Sequence, residues 1–315
     1  MVMVTYLSFK SFQHGYNGHR FLFFKSWRFS VAFMNRLLSA LLLSMLLTLN
    51  LWAAEDVSAD VDPSFADRIS AYKQNYLLFY THNGNNNYNQ IYGPVIGPQY
   101  RHEEVKFQIS LQGKIWENDS FDVGMAYTQQ SYWQLYSKPL SSPFRESNFE
   151  PEIFIKWKNA RGPEGFKTNY RFGFDHQSNG QSDPLSRSWN RLYGEIQLTK
   201  PDSPYDQKSP YYMALKTWLR IPENAANNNN PDITKYYGYW EFNGRLANGK
   251  HRYHLMLRNN LHTKNNRGAV QLDWSWKISE EFDSYVQLFH GYGESLVEYN
   301  HRNTRIGAGI LLSNW

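Results

Sequence analysis

The sequence predicts an all-β protein that folds as an antiparallel transmembrane β-barrel of about 12 strands. Three observations lead to this prediction. Apolar residues recur with a period of two through most of residues 75–313, which is typical of strands with one apolar and one polar face. The alternating segments are even in number and about ten residues long, the length that a tilted strand needs to cross a bilayer. Their connections alternate between brief turns and long polar loops, as in a barrel whose two ends differ.

The N-terminal part of the chain is predicted to be a targeting segment. Residues 37–54 form the only long apolar run of the sequence, follow Arg36 directly and end in small residues. A positive charge, an apolar stretch and small residues in this order are typical of a secretory signal peptide. We therefore interpret residues 1–33 as an upstream mis-start extension, residues 34–54 as a signal peptide and residues 55–315 as a single barrel domain. A membrane anchor helix is the alternative, but no basic cluster follows the run.

The excess positive charge lies in this N-terminal segment. The chain has 33 Lys and Arg residues against 28 Asp and Glu residues, a formal net charge of +5. Five of the basic residues lie within residues 1–54, which contain no acidic residue, so the remainder holds 28 of each sign. Nucleic-acid binding, which needs a basic surface, therefore has little support. The chain contains no cysteine, which excludes a disulfide scaffold and thiolate metal sites.

The predicted strands follow in order from residue 75. In residues 103–116, Val105 and Phe107 share one face, whereas Lys106 and Gln108 share the other. Backbone groups in lipid must be hydrogen-bonded, so such strands have to close on themselves. A soluble β-sandwich or lipocalin-like barrel is the alternative, but its apolar face would be the inner one. The predicted strands are residues 75–82, 103–116, 120–135, 149–158, 167–178, 189–199, 210–221, 235–246, 250–261, 268–279, 282–292 and 303–313.

Polar residues on the lipid-facing side of two strands break the alternation and mark a candidate site. His176 and Ser178 continue the outward parity of Phe174, and Asn190 shares the parity of Leu192 on the following strand. Because the intervening loop returns the chain as a hairpin, we expect Asn190 to lie beside His176.

These three side chains have the chemistry of an activated serine. Residues two apart on one strand face begin about 7 Å from each other, a gap that an imidazole and a hydroxyl can bridge. Asn190 would orient the ring of His176 by accepting from Nδ1–H, His176 would be the base and Ser178 the nucleophile of acyl transfer. The alternative is a His–Ser pair without a chemical role at an aromatic girdle.

A further outward polar residue lies on the third predicted strand. Gln129 continues the parity of Val123, Met125 and Tyr127. An amide at that depth can form a hydrogen bond with the same residue of a second copy across a two-fold axis. The alternative is that Gln129 lies in the headgroup region of the membrane.

Five sequence motifs resemble those of the outer-membrane phospholipase A family. They occur in the family's order and extend over much of the predicted barrel, which makes them far more specific than a histidine and a serine two residues apart. The motifs are residues 127–135 (YTQQSYWQL), 141–151 (SSPFRESNFEP), 175–193 (DHQSNGQSDPLSRSWNRLY), 230–236 (NPDITKY) and 291–296 (GYGESL).

The resemblance assigns roles to the outward residues. It implies that Ser178 is the nucleophile, that His176 is the general base and later the acid, and that Asn190 orients the imidazole. It also implies that the Gly180 amide receives the oxyanion and that Gln129 lies at a dimer contact.

The resemblance further implies calcium (Ca2+) as the cofactor. The matching ligands are the Ser186 hydroxyl and the Gln181 main-chain carbonyl, completed by Ser141 of the partner subunit in a homodimer. Gln181 stands where the family has an arginine. A main-chain ligand tolerates that change.

We therefore expect a calcium-dependent phospholipase of the bacterial outer membrane that is active as a homodimer. Its substrates would be membrane phospholipids, cleaved at either acyl ester position, and lysophospholipids, and nucleic acid would not be a partner. The alternative function is a non-enzymatic pore or structural barrel, in which charged residues such as Lys106, Lys216 and Asp273 line the interior.

Overall fold

The computed structural model describes residues 68–96, 100–160, 162–200, 211–226 and 228–312. The predicted extension at residues 1–33 and the predicted signal peptide at residues 34–54 lie outside the described residues. No helix within the described ranges is long and apolar enough to cross a membrane.

The described strands form a closed, antiparallel, twelve-stranded barrel, as predicted. The first barrel strand is interrupted and consists of β1 and β2, which both pair with β3. The last strand, β13, pairs with β2 and closes the sheet. Closure leaves no unpaired sheet edge in lipid. The strands are β1 Ile69–Ala71, β2 Tyr76–Asn83, β3 Glu103–Glu117, β4 Phe121–Trp133, β5 Phe144–Ala160, β6 Lys167–Ser178, β7 Ser188–Thr199, β8 Tyr211–Arg220, β9 Trp240–Asn248, β10 His251–Asn259, β11 Gly268–Lys277, β12 Phe282–Tyr292 and β13 Arg302–Leu312.

Six connecting loops lie at one end of the barrel, called here the loop end. They connect β2 to β3, β4 to β5, β6 to β7, β8 to β9, β10 to β11 and β12 to β13. Three of them contain short helices. These are α1 Tyr88–Ile91, α2 Gly93–Ile96, a 3-10 helix at Lys138–Leu140 and α3 Thr234–Tyr237.

Two strands begin five residues away from their predicted starts. Residues 235–246 were expected to form a strand, but β9 begins only at Trp240 because α3 occupies the preceding residues. The ring of Tyr237 is buried against Trp189, with centroids 5.3 Å apart, so packing in the barrel mouth overrides the local alternation. Strand β5 also begins earlier than expected, at Phe144.

The outer face is apolar over the middle of the strands. Met125, Phe172 and Leu192 are 54%, 53% and 53% exposed, although each is a large apolar side chain. Aromatic rings border this zone at the end opposite the loops, where the ring centroids of Trp116 and Phe121 lie 4.8 Å apart. An exposed apolar band between aromatic girdles is the surface that faces lipid in a membrane barrel.

The inner face is charged, and many of its charges are paired. Nζ of Lys106 lies 3.2 Å from Oε1 of Glu294, and Nζ of Lys216 lies 3.0 Å from Oδ2 of Asp175. A cavity of about 550 Å³ remains inside the barrel. Its lining includes residues of both charge signs, Asp273 among them.

Candidate active site

The predicted trio lies at the loop end of the neighbouring strands β6 and β7. In their antiparallel register, His176 is opposite Asn190 and Ser178 is opposite Ser188. Since side chains alternate along a strand, His176 and Ser178 are on the same face as the exposed Phe172. All three side chains of the trio therefore point away from the lumen.

The hairpin brings His176 and Asn190 into direct contact. Nδ1 of His176 lies 2.9 Å from Oδ1 of Asn190. An amide oxygen can only accept a hydrogen bond, so Nδ1 is the nitrogen that carries the proton in this contact. Nε2 of the neutral ring is then the basic nitrogen and can accept a proton from a hydroxyl.

Ser178 lies beside this pair, two residues further along β6. Its side chain is half-buried, and within the described part of the chain it makes no hydrogen bond to His176. Residues at this spacing are separated by about 7 Å at the backbone, so contact requires the two side chains to turn toward each other. Such bonds are often long in ligand-free enzymes and tighten with substrate.

Glu223 is a fourth side chain at this site, and the strand pattern of the sequence does not reveal it. Its Oε1 accepts a hydrogen bond of 3.0 Å from Nδ2 of Asn190. The backbone explains the contact, because Ile221 N donates to Asn190 O at 2.8 Å. This bond holds the segment that contains Glu223 next to Asn190. The signal that could have revealed Glu223 is a carboxylate just beyond the strand that pairs with β7.

The loop at residues 179–187 is shaped by its first two residues. Asn179 is buried, and its Oδ1 accepts from the amides of Gln181 at 3.3 Å and Arg187 at 2.9 Å, which ties the two ends of the loop together. Gly180 has a φ of 63°, a conformation that favours glycine. Its amide donates no hydrogen bond to any described residue, so this N–H, two residues from Ser178, is available to a ligand.

The same loop carries the two oxygen atoms expected to bind calcium within one subunit. Among the described residues, neither the Ser186 hydroxyl nor the Gln181 carbonyl takes part in a hydrogen bond. Hard oxygen donors of this kind suit Ca2+. The described residues include no group of three or more His, Cys, Asp or Glu side chains that could hold a metal. The Ser186 hydroxyl and the Gln181 carbonyl would supply two oxygen ligands to a cation bound at this loop.

Ser141 lies in a different loop at the same end of the barrel. It follows the 3-10 helix between β4 and β5, has a φ of 57° and is exposed. No hydrogen bond connects its side chain with the loop at residues 179–187 among the described residues. Its exposed position leaves its hydroxyl accessible to a second molecule.

Gln129 lies on the outer face of β4, at the same level as the trio. The register places Gln129 opposite Phe149 on β5, and Phe149 opposite Ser178 on β6. Strands are about 4.8 Å apart, so Gln129 and Ser178 are separated by about 10 Å. Within the chain, the Gln129 amide accepts from the Tyr127 hydroxyl at 3.2 Å and donates to Ser131 at 3.0 Å.

Comparisons with known proteins agree with the barrel and its sequence motifs. A family model described as Phospholipase A1 matches residues 52–312. Phospholipase A1 of Klebsiella pneumoniae is 36% identical over 256 residues, which are 77% of this chain and 82% of that protein. The structure of outer membrane phospholipase A from Escherichia coli matches with a TM-score of 0.71 and 33% identity, over 79% of this chain and 97% of that one. A Salmonella typhi outer membrane phospholipase dimer with bound calcium matches with a TM-score of 0.70 and 33% identity, over 78% and 92% of the two chains.

Proposed function

Since this chain belongs to the outer-membrane phospholipase A family, we propose that it hydrolyses the acyl ester bonds of membrane phospholipids with Ser178, His176 and Asn190. The protein is a multi-pass β-barrel enzyme of the bacterial outer membrane. The observation that carries the proposal is the 2.9 Å contact between His176 and Asn190 on the lipid-facing surface, next to Ser178. A base and its orienting residue in that position have direct access to acyl chains.

In the first half of the reaction, Ser178 Oγ attacks the ester carbonyl carbon while Nε2 of His176 takes the hydroxyl proton. The resulting imidazolium donates that proton to the departing alcohol oxygen of the lysophospholipid, which leaves an acyl group on Ser178. Asn190 keeps Nδ1–H of the ring directed at its own Oδ1 throughout, so that Nε2 faces the hydroxyl. Because Asn190 is neutral, it orients the ring without neutralising the imidazolium.

In the second half, water replaces the alcohol. Nε2 of His176 takes a proton from water, the hydroxide attacks the acyl carbonyl, and the proton returns to Ser178 Oγ as the fatty acid leaves. A site at the rim of the lipid-facing surface can receive both reactants, because the acyl chain comes from the bilayer and the water from the headgroup side.

The oxyanion of each step is expected to form next to the loop at residues 179–187. The N–H of Gly180, which donates to no described residue, is a donor for this oxygen. A fixed donor at a developing charge is worth about a hundredfold or more in rate. The Ser186 hydroxyl and Gln181 carbonyl would hold Ca2+, together with Ser141 of the partner subunit. Bound there, the ion would supply positive charge to the same oxyanion and to water ligands.

Activity is proposed to require two copies of the chain. A single copy lacks the oxygen of Ser141 of the partner subunit, and Gln129 offers a polar contact on the outer face near the site. A hydrolase that faces its own membrane has to be restrained, and an incomplete site in the monomer provides that restraint.

The direct test measures fatty-acid release from phospholipid in detergent micelles with calcium present. Ser178→Ala should lower turnover by at least about a thousandfold, because the nucleophile is removed while the barrel is left intact. Ser182→Ala is the matched control, since it removes a serine hydroxyl from the adjoining loop and should retain activity. Undiminished release by Ser178→Ala would contradict the assignment, and ion conductance across a planar bilayer without ester hydrolysis would favour the pore.

A further inference from the structure

We propose that Glu223 is a positioning residue of the active site, which holds the Asn190 amide in the one orientation that keeps His176 a base; this inference rests on the proposed function. The evidence is a continuous chain of side-chain contacts. Nδ1 of His176 lies 2.9 Å from Oδ1 of Asn190, and Nδ2 of Asn190 lies 3.0 Å from Oε1 of Glu223.

The orientation of Asn190 matters because its two amide atoms have opposite hydrogen-bonding capacity. An amide has an accepting oxygen and a donating nitrogen on a planar group of nearly symmetric shape, so a rotation by 180° exchanges them at little steric cost. An ionised carboxylate can only accept. Glu223 therefore requires the nitrogen of Asn190 on its own side, which directs the oxygen toward His176.

The opposite orientation would disable the base. With the Asn190 nitrogen facing the ring, Nδ1 of His176 would have to be the acceptor, and the proton of the neutral imidazole would move to Nε2. That nitrogen could then no longer accept the proton of Ser178. Glu223 thus selects the reactive tautomer of His176 through the Asn190 side chain that lies between them, without touching substrate or the reacting atoms.

Glu223 is itself held firmly enough for this role. Its side chain is only 16% exposed, and Nη2 of Arg220 lies 3.5 Å from its Oε2. The same guanidinium donates to the side chain of Asn228 at 2.7 Å and to the Asn230 carbonyl at 3.0 Å. The loop after β8 therefore anchors, through Arg220, the carboxylate beside Asn190.

The first test compares two replacements of Glu223 in the full-length protein. Glu223→Ala removes the acceptor, and we expect kcat to fall on the order of tenfold with KM unchanged, as when a partner behind a functional side chain is lost. Glu223→Gln retains an accepting oxygen and should recover to within about threefold of the parent. Glu103→Gln is the matched control, because Glu103 is also at the loop end and contacts a histidine, His82, at 3.1 Å, yet lies outside the trio. Unchanged kcat in Glu223→Ala would overturn the proposal.

The second test separates positioning from a merely structural role. If Glu223 acts through Asn190, Glu223→Ala should cause no further loss of kcat in a protein that already carries Asn190→Ala. A tenfold loss in both backgrounds would overturn the proposal, because an effect on folding or on Arg220 does not depend on the Asn190 side chain.

Ser178→Ala in the same assay separates a failure of the proposed function from a failure of the proposed role of Glu223. Activity retained by Ser178→Ala would refute the proposed function itself. Inactive Ser178→Ala together with fully active Glu223→Ala would refute only the role of Glu223.

Discussion

At the scale of single residues, the proposed site differs from a Ser-His-Asp triad in where its carboxylate lies. The neutral amide of Asn190 contacts the ring of His176, and the carboxylate of Glu223 lies behind that amide, at 3.0 Å from its nitrogen. The charge is therefore separated from the imidazole by one side chain. If the proposal holds, ring orientation and the negative charge, which one aspartate provides together in a triad, belong to two different residues in this site.

Exchanging the two functional groups tests this division. Asn190→Asp should lower turnover on the order of tenfold near neutral pH, because two carboxylates would then face each other and the hydrogen bond to Glu223 would be lost. A second replacement, Glu223→Gln, restores a donor for the new carboxylate and should recover most of the turnover. Fatty-acid release by the single and double variants measures both effects. A double variant as slow as Asn190→Asp would contradict the expected pairing.

Parity along the strands was sufficient to predict the direction of His176, Ser178 and Asn190, because the period of a strand is strict. It could not identify Glu223, which lies 33 positions from Asn190 in a segment that follows a strand. Only the register between β7 and β8 determines which loop residue meets Asn190, and a sequence pattern does not contain that register.

At the scale of elements, the hairpin of β6 and β7 carries the proposed trio and the proposed oxyanion and calcium groups of one subunit, and only Glu223 comes from the segment after β8. The register of the strands brings His176 to Asn190, and the loop between them carries Gly180, Gln181 and Ser186. Its ends are joined through the buried side chain of Asn179, which accepts from two loop amides. The sequence could predict a loop here. It could not predict that the Gly180 N–H, the Gln181 carbonyl and the Ser186 hydroxyl would have no hydrogen-bond partner among the described residues, because that depends on this internal bonding.

Calcium removal tests the proposed role of this loop. Excess chelator should abolish fatty-acid release while far-UV circular dichroism of the barrel stays unchanged, because the strands do not depend on the ion. Ser186→Ala should raise the calcium concentration needed for half-maximal activity by roughly tenfold, since one oxygen ligand is lost.

The control for this titration is Ser182→Ala, which lies in the same loop. The Ser182 contact with the Ser186 amide uses the main-chain carbonyl, at 3.0 Å, and survives the replacement. An equal shift in both variants, or full activity of the parent protein in chelator, would refute the calcium role.

The predicted strands were correct where each side chain faces either lipid or the lumen, because that environment alone sets the alternation. The prediction was wrong at residues 235–239, where aromatic packing favours a helix. The alternation predicted about twelve strands, and the barrel has twelve. Residues 235–239 alternate too, but Tyr237 is drawn into a buried cluster with Trp189 and Trp218, and α3 forms there. That cluster is assembled from segments far apart in the sequence and also includes Leu296 and Tyr299, so local periodicity does not reveal it.

At the scale of the whole molecule, the two faces of the barrel have different tasks. The charged interior contains ion pairs that connect separate segments of the chain. Lys106 of β3 pairs with Glu294 of the loop after β12, and Lys216 of β8 pairs with Asp175 of β6. The outer face carries the proposed chemistry and the proposed contact between copies. Pore function would depend on the interior, whereas lipid hydrolysis depends on the exterior.

Replacement of Gln129 tests the assembly of two copies. Gln129→Leu should lower the association constant of the dimer by roughly fivefold to tenfold, because a polar contact between the two subunits is lost in hydrocarbon. Sedimentation equilibrium in detergent, with calcium and a non-hydrolysable ether phospholipid, measures the association. Thermal unfolding of the monomer should change little.

Thr217→Leu provides the comparison, because Thr217 is also exposed on the outer face but lies on β8, four strands away from Gln129. Equal weakening of the dimer by both variants would show that the loss of any outward polar group is sufficient, and the specific role of Gln129 would be rejected.

The outward direction of His176 and Ser178 also determines which concentration governs the enzyme. A side chain that faces acyl chains meets its substrate by lateral diffusion within the leaflet, so the encounter takes place in two dimensions. Velocity should therefore follow the mole fraction of phospholipid in the mixed micelle or bilayer. Dilution of the whole suspension in buffer, at constant surface composition, should leave turnover per barrel unchanged as long as the two copies stay together.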